Sequence, residues 1–359
     1  MTANISLVFY LACFITSIFH FSFYISANKG LRNFGLFISI FIPSLLAGMR
    51  YGVGTDFFNY DYNFNIIRQS PWSIILDQKV PWEFGFKLLI KILSVFFNNS
   101  MIFFVIAFLT LSLFVITLNE YYNKQNIIIA YSIFIFCFFP QSLNITRQML
   151  AIVIIFYAYN YIFEKKFYQY ILLCFLASTI HLTAFIAVPV YFLWNSEKKN
   201  IEPILSTVII IVASFLSIFY TRIIFYLAQF IPFLFKYEYL SFSSVRTNRD
   251  FYLRLIILIF LIFMLKYIEK IDQRFNLYIL LYSLALIIGF TGFSTPFFKR
   301  LIYYFTFPIT ILMCPLPRVI SINGKKAILS ILITVISIIY FILIFYIMRD
   351  GDIFPLIFR

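Results

Sequence analysis

Residues 34–60 read FGLFISIFIPSLLAGMRYGVGTDFFNY, and the change of character at Arg50 sets how the rest of the chain is read. The half ending at Met49 carries no charge. Arg50, Gly52, Gly54, Thr55, Asp56, Asn59 and two tyrosines then arrive together. An arginine at hydrocarbon depth is costly and is found there mainly where function requires it. Just outside the bilayer, the same segment becomes a polar lip over a membrane-embedded cavity.

The whole composition supports a membrane setting. Of the 359 residues, 63% are hydrophobic and 12% charged, with mean hydropathy +0.95. A soluble domain carries about 25% charged residues. The apolar runs recur along the full length and are continuous rather than alternating, which specifies helices and not a barrel. The expected fold is an all-α polytopic integral membrane protein forming a single domain over 1–359. Its 50 Phe and 26 Tyr are read as compositional bias, not as a cofactor box, and no cofactor is expected. Cys13, Cys137, Cys174 and Cys314 sit singly in apolar runs, at spacings that suit neither zinc nor a disulfide framework. A net charge of +14 comes without any nucleic-acid motif, so the partner expected is the bilayer and not nucleic acid. Residues before Leu7 lack a basic n-region, so the first run reads as a retained span.

About twelve spans are expected: 3–27, 33–49, 99–118, 126–140, 144–163, 166–180, 182–195, 202–220, 250–268, 274–291, 299–317 and 326–347. Short connections holding Lys29/Arg32, Lys124, Lys165/Lys166, Lys198/Lys199, Lys266/Lys270/Arg274 and Arg318/Lys325/Lys326 alternate with connections poor in charge. The first set is assigned to the cytoplasm and both chain ends to the outside. That orientation depends on splitting 166–195 at His181. Two longer external segments are expected, 50–98 and 221–249. Within the first, Phe86–Phe97 is too short to span comfortably and reads as re-entrant or interfacial. The second mixes Arg222, Lys236, Arg246 and Arg249 with aromatics, as in a surface amphipathic helix.

Four polar positions then fall on the external face: Arg50, Arg147, His181 and Arg300. Arg147, beside Gln148 at the mouth of a short hairpin, is either a snorkelling helix-end arginine or an anion ligand. His181, among small and hydroxyl residues, is either an interhelical hydrogen-bond partner or a general base. Arg300 follows Lys299 at the start of a span, where snorkelling and anion binding are both open. Asp56 is able to pair with Arg50. His20, in a Phe-rich span, reads as structural. No phosphate loop, zinc-protease helix or nucleophile elbow occurs. Asp350-Gly351-Asp352 mimics a metal-binding Asp-x-Asp, but no metal site is expected there.

The segment Arg50-Tyr51-Gly52-Val53-Gly54-Thr55-Asp56, followed by Tyr60, resembles the hallmark of the EpsG-type, Wzy-like polysaccharide polymerases. The resemblance continues in order through Glu83-Phe84-Gly85-Phe86, Asn144-x-x-Arg147-Gln148-x-x-Ala151, His181-x-Thr183-Ala184 and Arg300-x-x-x-Tyr304-Phe305. It ends near Asp352-Ile353-Phe354-Pro355, where the sequence departs from the usual Tyr-Pro-Tyr-like close. The resemblance implies a glycosyltransferase-type enzyme at the external face of the bacterial inner membrane. Its substrates would be undecaprenyl-diphosphate-linked oligosaccharide repeat units, with a chain-length regulator and a flippase as companion proteins. On that basis Arg147 and Arg300 would hold the diphosphate, and His181 or Asp56 would take the acceptor proton. Arg50, Thr55, Asn59, Tyr60, Glu83, Gln148 and Lys299 would bind substrate or organise the lip. The rival readings are an O-antigen ligase, a lipid-linked oligosaccharide flippase or transporter, and a membrane acyltransferase.

Overall fold

A computed structural model of the chain describes residues 1–26, 28–121, 126–193, 249–268, 270–291, 296–320 and 326–358. All regular elements among them are helical, and an isolated antiparallel bridge joins Arg50 to Phe358. The chain divides into two compact units: Met1–Val188 with Met313–Arg359, and Pro189–Leu312.

In the first unit, α1 (Ala3–Ser22) and α2 (Lys29–Met49) are followed by two shorter helices, α3 (Phe57–Gln69) and α4 (Phe84–Phe96), and then by α5 (Asn99–Leu118). The three long helices start where polar residues permit. Thr2, Asn28 and Asn98 each accept a hydrogen bond from a first-turn N–H, that of Ile5, Leu31 and Met101 respectively. Helix α6 (Ile127–Ile133) passes through a π-helical turn at Phe134–Phe138 into the single turn α7 (Phe139–Ser142). After a break come α8 (Thr146–Phe163) and α9 (Phe167–Ile180). His181 is extended (φ −150°, ψ 115°) and a 3-10 segment, Leu182–Leu193, follows it. The chain therefore does divide at His181, as the orientation requires.

The second unit holds α10 (Arg249–Ile268), α11 (Arg274–Thr291), α12 (Pro296–Thr306) and α13 (Ile309–Leu312). The chain returns to the first unit with α14 (Leu316–Ile320) and α15 (Lys326–Phe341), which runs on through a π-helical stretch, Ile342–Ile347.

Four stretches are long and apolar enough to cross a bilayer: Ala3–Ile25, Lys29–Met49, Asn99–Tyr121 and Ala327–Ile347. Shorter apolar helices occupy six more of the expected positions, among them Ile127–Ser142, Phe167–Ile180 and Arg300–Leu312. The expected 202–220 span lies outside the described residues, as does the 221–249 segment save its last residue. Large apolar side chains face outward along the long helices, including Val8, Ile15 and Phe19 on α1 and Ile328, Ile331 and Ile336 on α15. Such faces belong in lipid. The protein is membrane-embedded.

Helix α8 is buried nearly all round, as a helix apolar on every side should be. Polar glue joins α1, α2 and α6: Ser17 Oγ and Tyr131 Oη both donate to the Ser39 carbonyl, at 2.7 and 2.6 Å. His20 keeps Nδ1 2.8 Å from the Thr16 carbonyl, against the Phe19 and Phe23 rings, which fits a structural histidine.

Candidate functional site

The site is built around the segment at which α2 stops. Arg50 is only 2% exposed. Its Nη2 donates to the Leu143 carbonyl at 2.9 Å, and its guanidinium lies 4.7 Å from the centre of the Phe103 ring. Burial pushes this guanidinium down to about 10, countered in part by Tyr10 and Tyr60. It therefore keeps its charge at neutral pH. Arg50 is the fastener between the end of α2 and the α7–α8 turn.

The next residues lean on the same turn. Thr55 Oγ1 donates to Asn144 Oδ1 at 3.2 Å. Asp56 is the boundary residue of α3, half-buried, and its side chain does not cap the helix. Asn59 is exposed, and its carbonyl and Oδ1 both accept from Asn63 Nδ2, at 2.7 and 2.8 Å. Tyr60 is buried with its ring 5.4 Å from that of Trp82, and its Oη accepts the Arg147 N–H at 3.4 Å.

Helix α4 delivers the second wall. Pro81 precedes it, Glu83 is its N-terminal boundary residue, and Gly85 follows in the first turn. A Cβ on Gly85 would collide with the Thr179 side chain and lie 2.9 Å from its carbonyl, so only glycine lets α4 approach α9 this closely. That approach sets the Glu83 carboxylate between two elements: Oε2 pairs with Arg147 Nη1, while Oε1 accepts the Leu182 N–H at 2.9 Å. The Arg147 guanidinium also lies over Trp82 and Phe86, 5.0 and 5.7 Å from their ring centres. Its Nε is buried with no partner among the described residues. His181, next to Leu182, shares a 2.6 Å hydrogen bond between Nδ1 and Thr183 Oγ1. Gln148 is buried on the first turn of α8.

Two lysines complete the platform. Lys91 Nζ donates to the carbonyls of Ile67, Arg68 and Ser70 at the end of α3, and Lys87 Nζ to that of Asp77. Both lysines turn inward, leaving Ile92, Val95 and Phe96 of α4 exposed. This 13-residue helix is too short to span and suits the interfacial expectation for 86–97.

Arg50, Thr55, Tyr60, Glu83, Arg147 and the His181 turn are thus linked through direct contacts in one place. Arg300 lies exposed on α12, in the second unit, which also carries Lys299. Three contributors went unpredicted. Trp82 underlies Arg147, Asn144 receives Thr55, and residues 350–358 pack against the lip. Tyr51 N–H donates to the Ile357 carbonyl at 2.7 Å and Gly54 N–H to the Asp352 carbonyl at 3.0 Å. Asp350 Oδ2 accepts from Gln141 Nε2. The turn-forming Asp-Gly-Asp and the resemblance running to Asp352-Ile353-Phe354-Pro355 were the signals that this stretch was more than a tail.

The described residues thus form a helical membrane protein in which a half-buried arginine, backed by two aromatic rings, joins a short-helix platform to the turn before α8. Residues 33–358 match the family model described as the EpsG family. The chain belongs to the EpsG family, and membership points to a polysaccharide polymerase of glycosyltransferase type. No curated protein and no solved structure matches it.

Proposed function

We propose that this chain is a Wzy-type polymerase joining undecaprenyl-diphosphate-linked repeat units at the external face of the inner membrane. The observation that carries this reading is Arg147: a cation held on two aromatic faces, its Nε buried without a partner among the described residues, beside the turn bearing His181. In the reaction, a sugar hydroxyl of the acceptor attacks the anomeric carbon of the donor glycan. The bond from that carbon to the diphosphate oxygen breaks, and undecaprenyl diphosphate leaves. Arg147 stabilises the charge gathering on the leaving diphosphate. The acceptor proton passes to His181 or to Asp56, either of which is suited to general-base work. Glu83, Thr55, Asn59 and Tyr60 shape the lip that receives sugars. For Arg300 a diphosphate role rests on the sequence alone and is tested separately. The platform α3–α4, with its exposed Ile92, Val95 and Phe96, borders the path of the prenyl chain.

A gene-deletion strain, complemented by wild type or variants and run on a glycan ladder gel, tests this. Deletion should leave single-repeat products, and R147A and R300A should not restore the ladder. Loss of polymer in H181A or in D56N identifies the base. An unchanged ladder on deletion overturns the proposal, and long lipid-linked polymer accumulating instead would mark a ligase. The scheme uses no divalent metal, so a purified assay that requires one would also overturn it.

A further inference from the structure

The turn that launches Arg147 is held from outside. Helix α8 begins without a side-chain cap: its boundary residue is Ile145, which has no capping oxygen. The preceding residues are instead gripped one after another. Gln141 is held by Asp350, the Leu143 carbonyl by Arg50, and Asn144 from two sides. Asn144 Oδ1 accepts from Thr55, while its Nδ2 donates to the Gly351 carbonyl at 2.7 Å.

The two residues facing Asn144 are glycines in the left-handed region, Gly54 at φ +97° and Gly351 at φ +75°. A Cβ on Gly54 would stand 2.6 Å from Asn144 Oδ1, and one on Gly351 would collide with Nδ2. Asn144 therefore fills a slot that two separate segments keep open for it. The far segment is itself anchored. Tyr10 Oη donates to the Ile353 carbonyl at 3.1 Å, the Leu356 N–H donates to Ser6 Oγ at 2.9 Å, and Ile353 and Leu356 are fully buried.

We infer that Asn144 is a positioning residue: clamped between Gly54 and the Arg349–Phe358 segment, it fixes the first turn of α8 and thereby aims Arg147 at the diphosphate of the lipid-linked substrate. Asp350 shares this role through Gln141. Asp350-Gly351-Asp352, which looked like a metal motif, is a joint. The inference rests on the polymerase reading, since it needs Arg147 to meet a diphosphate.

The test uses full-length protein in membranes from the deletion strain. It measures KM for lipid-linked repeat units and inhibition by inorganic diphosphate. N144A should raise both the KM and the inhibitory concentration roughly tenfold, the scale of a lost buried hydrogen bond. D350A, at an exposed position, should act in the same direction and guards against misfolding of N144A. The diagnostic variant is N144A/R147K. If Asn144 acts through Arg147, the double variant should match R147K alone, because coupled residues are not additive. Multiplying effects would overturn the inference, as would unchanged constants in N144A and D350A where R147K is impaired. Wild-type constants in R147K would instead overturn the diphosphate reading on which it stands.

Discussion

At the scale of single residues, two arginines do different work although both looked like exceptions to an oily chain. Arg50 is a structural fastener, and replacing it with Ala strands the Leu143 carbonyl and empties the space over Phe103. R50A should lower stability by about 1–3 kcal/mol, read as an earlier thermal transition of the detergent-solubilised protein. R50K should fall between, because lysine keeps the charge but not the planar stack. Arg147 instead shares its guanidinium with Glu83, a carboxylate occupying ground that a phosphate oxygen would contest. E83Q should therefore let inorganic diphosphate inhibit at about fivefold lower concentration, the scale of a part-exposed ion pair. Weaker inhibition in E83Q would mean that Glu83 orients Arg147 more than it competes for it. That both arginines stand out was legible from their placement, Arg50 directly after an apolar run and Arg147 at a polar break between two. Which does what was not, because the Arg147–Glu83 pair joins positions 64 apart that no local pattern relates.

At the scale of elements, hydropathy read the long helices well and the short ones less fully. Spans 3–27, 33–49, 99–118 and 326–347 have described counterparts of crossing length, because continuous apolar runs with polar caps leave few alternatives. The break at His181 was also readable, since Ser178, Thr179 and His181 interrupt the run. The contact between α4 and α9 was not. It turns on one missing Cβ at Gly85, and a glycine in an apolar stretch does not name what approaches it. G85A forces α4 away from Thr179 and should cost about 1–3 kcal/mol, the range for overpacking. An unchanged thermal transition in G85A would show that α4 is free to slide, and the Glu83 bridge with it.

At the scale of the whole molecule, the orientation deduced from loop charge has a direct check. T55C, in a background with the four native cysteines replaced, should react with a membrane-impermeant maleimide in intact cells. K166C, at the opposite end of α8, should react only after lysis. The reverse pattern would invert the protein and move the chemistry to the cytoplasm. The helical membrane class could be reasoned from hydropathy because it follows from solvation. The role of residues 349–358 could not, because most of their bonds to the lip run through backbone carbonyls that carry no residue signature.

That last seam also has a meaning in time. Tyr10 and Ile353, which it joins, are 343 positions apart, so one partner leaves the ribosome long before the other exists. At ordinary synthesis rates the delay is on the order of tens of seconds. Throughout it, the N–H groups of Tyr51, Gly54 and Thr55 lack the carbonyls that finally accept them. The lip is completed only when the late segment docks, so a chain released early would have its helices made and this seam still open.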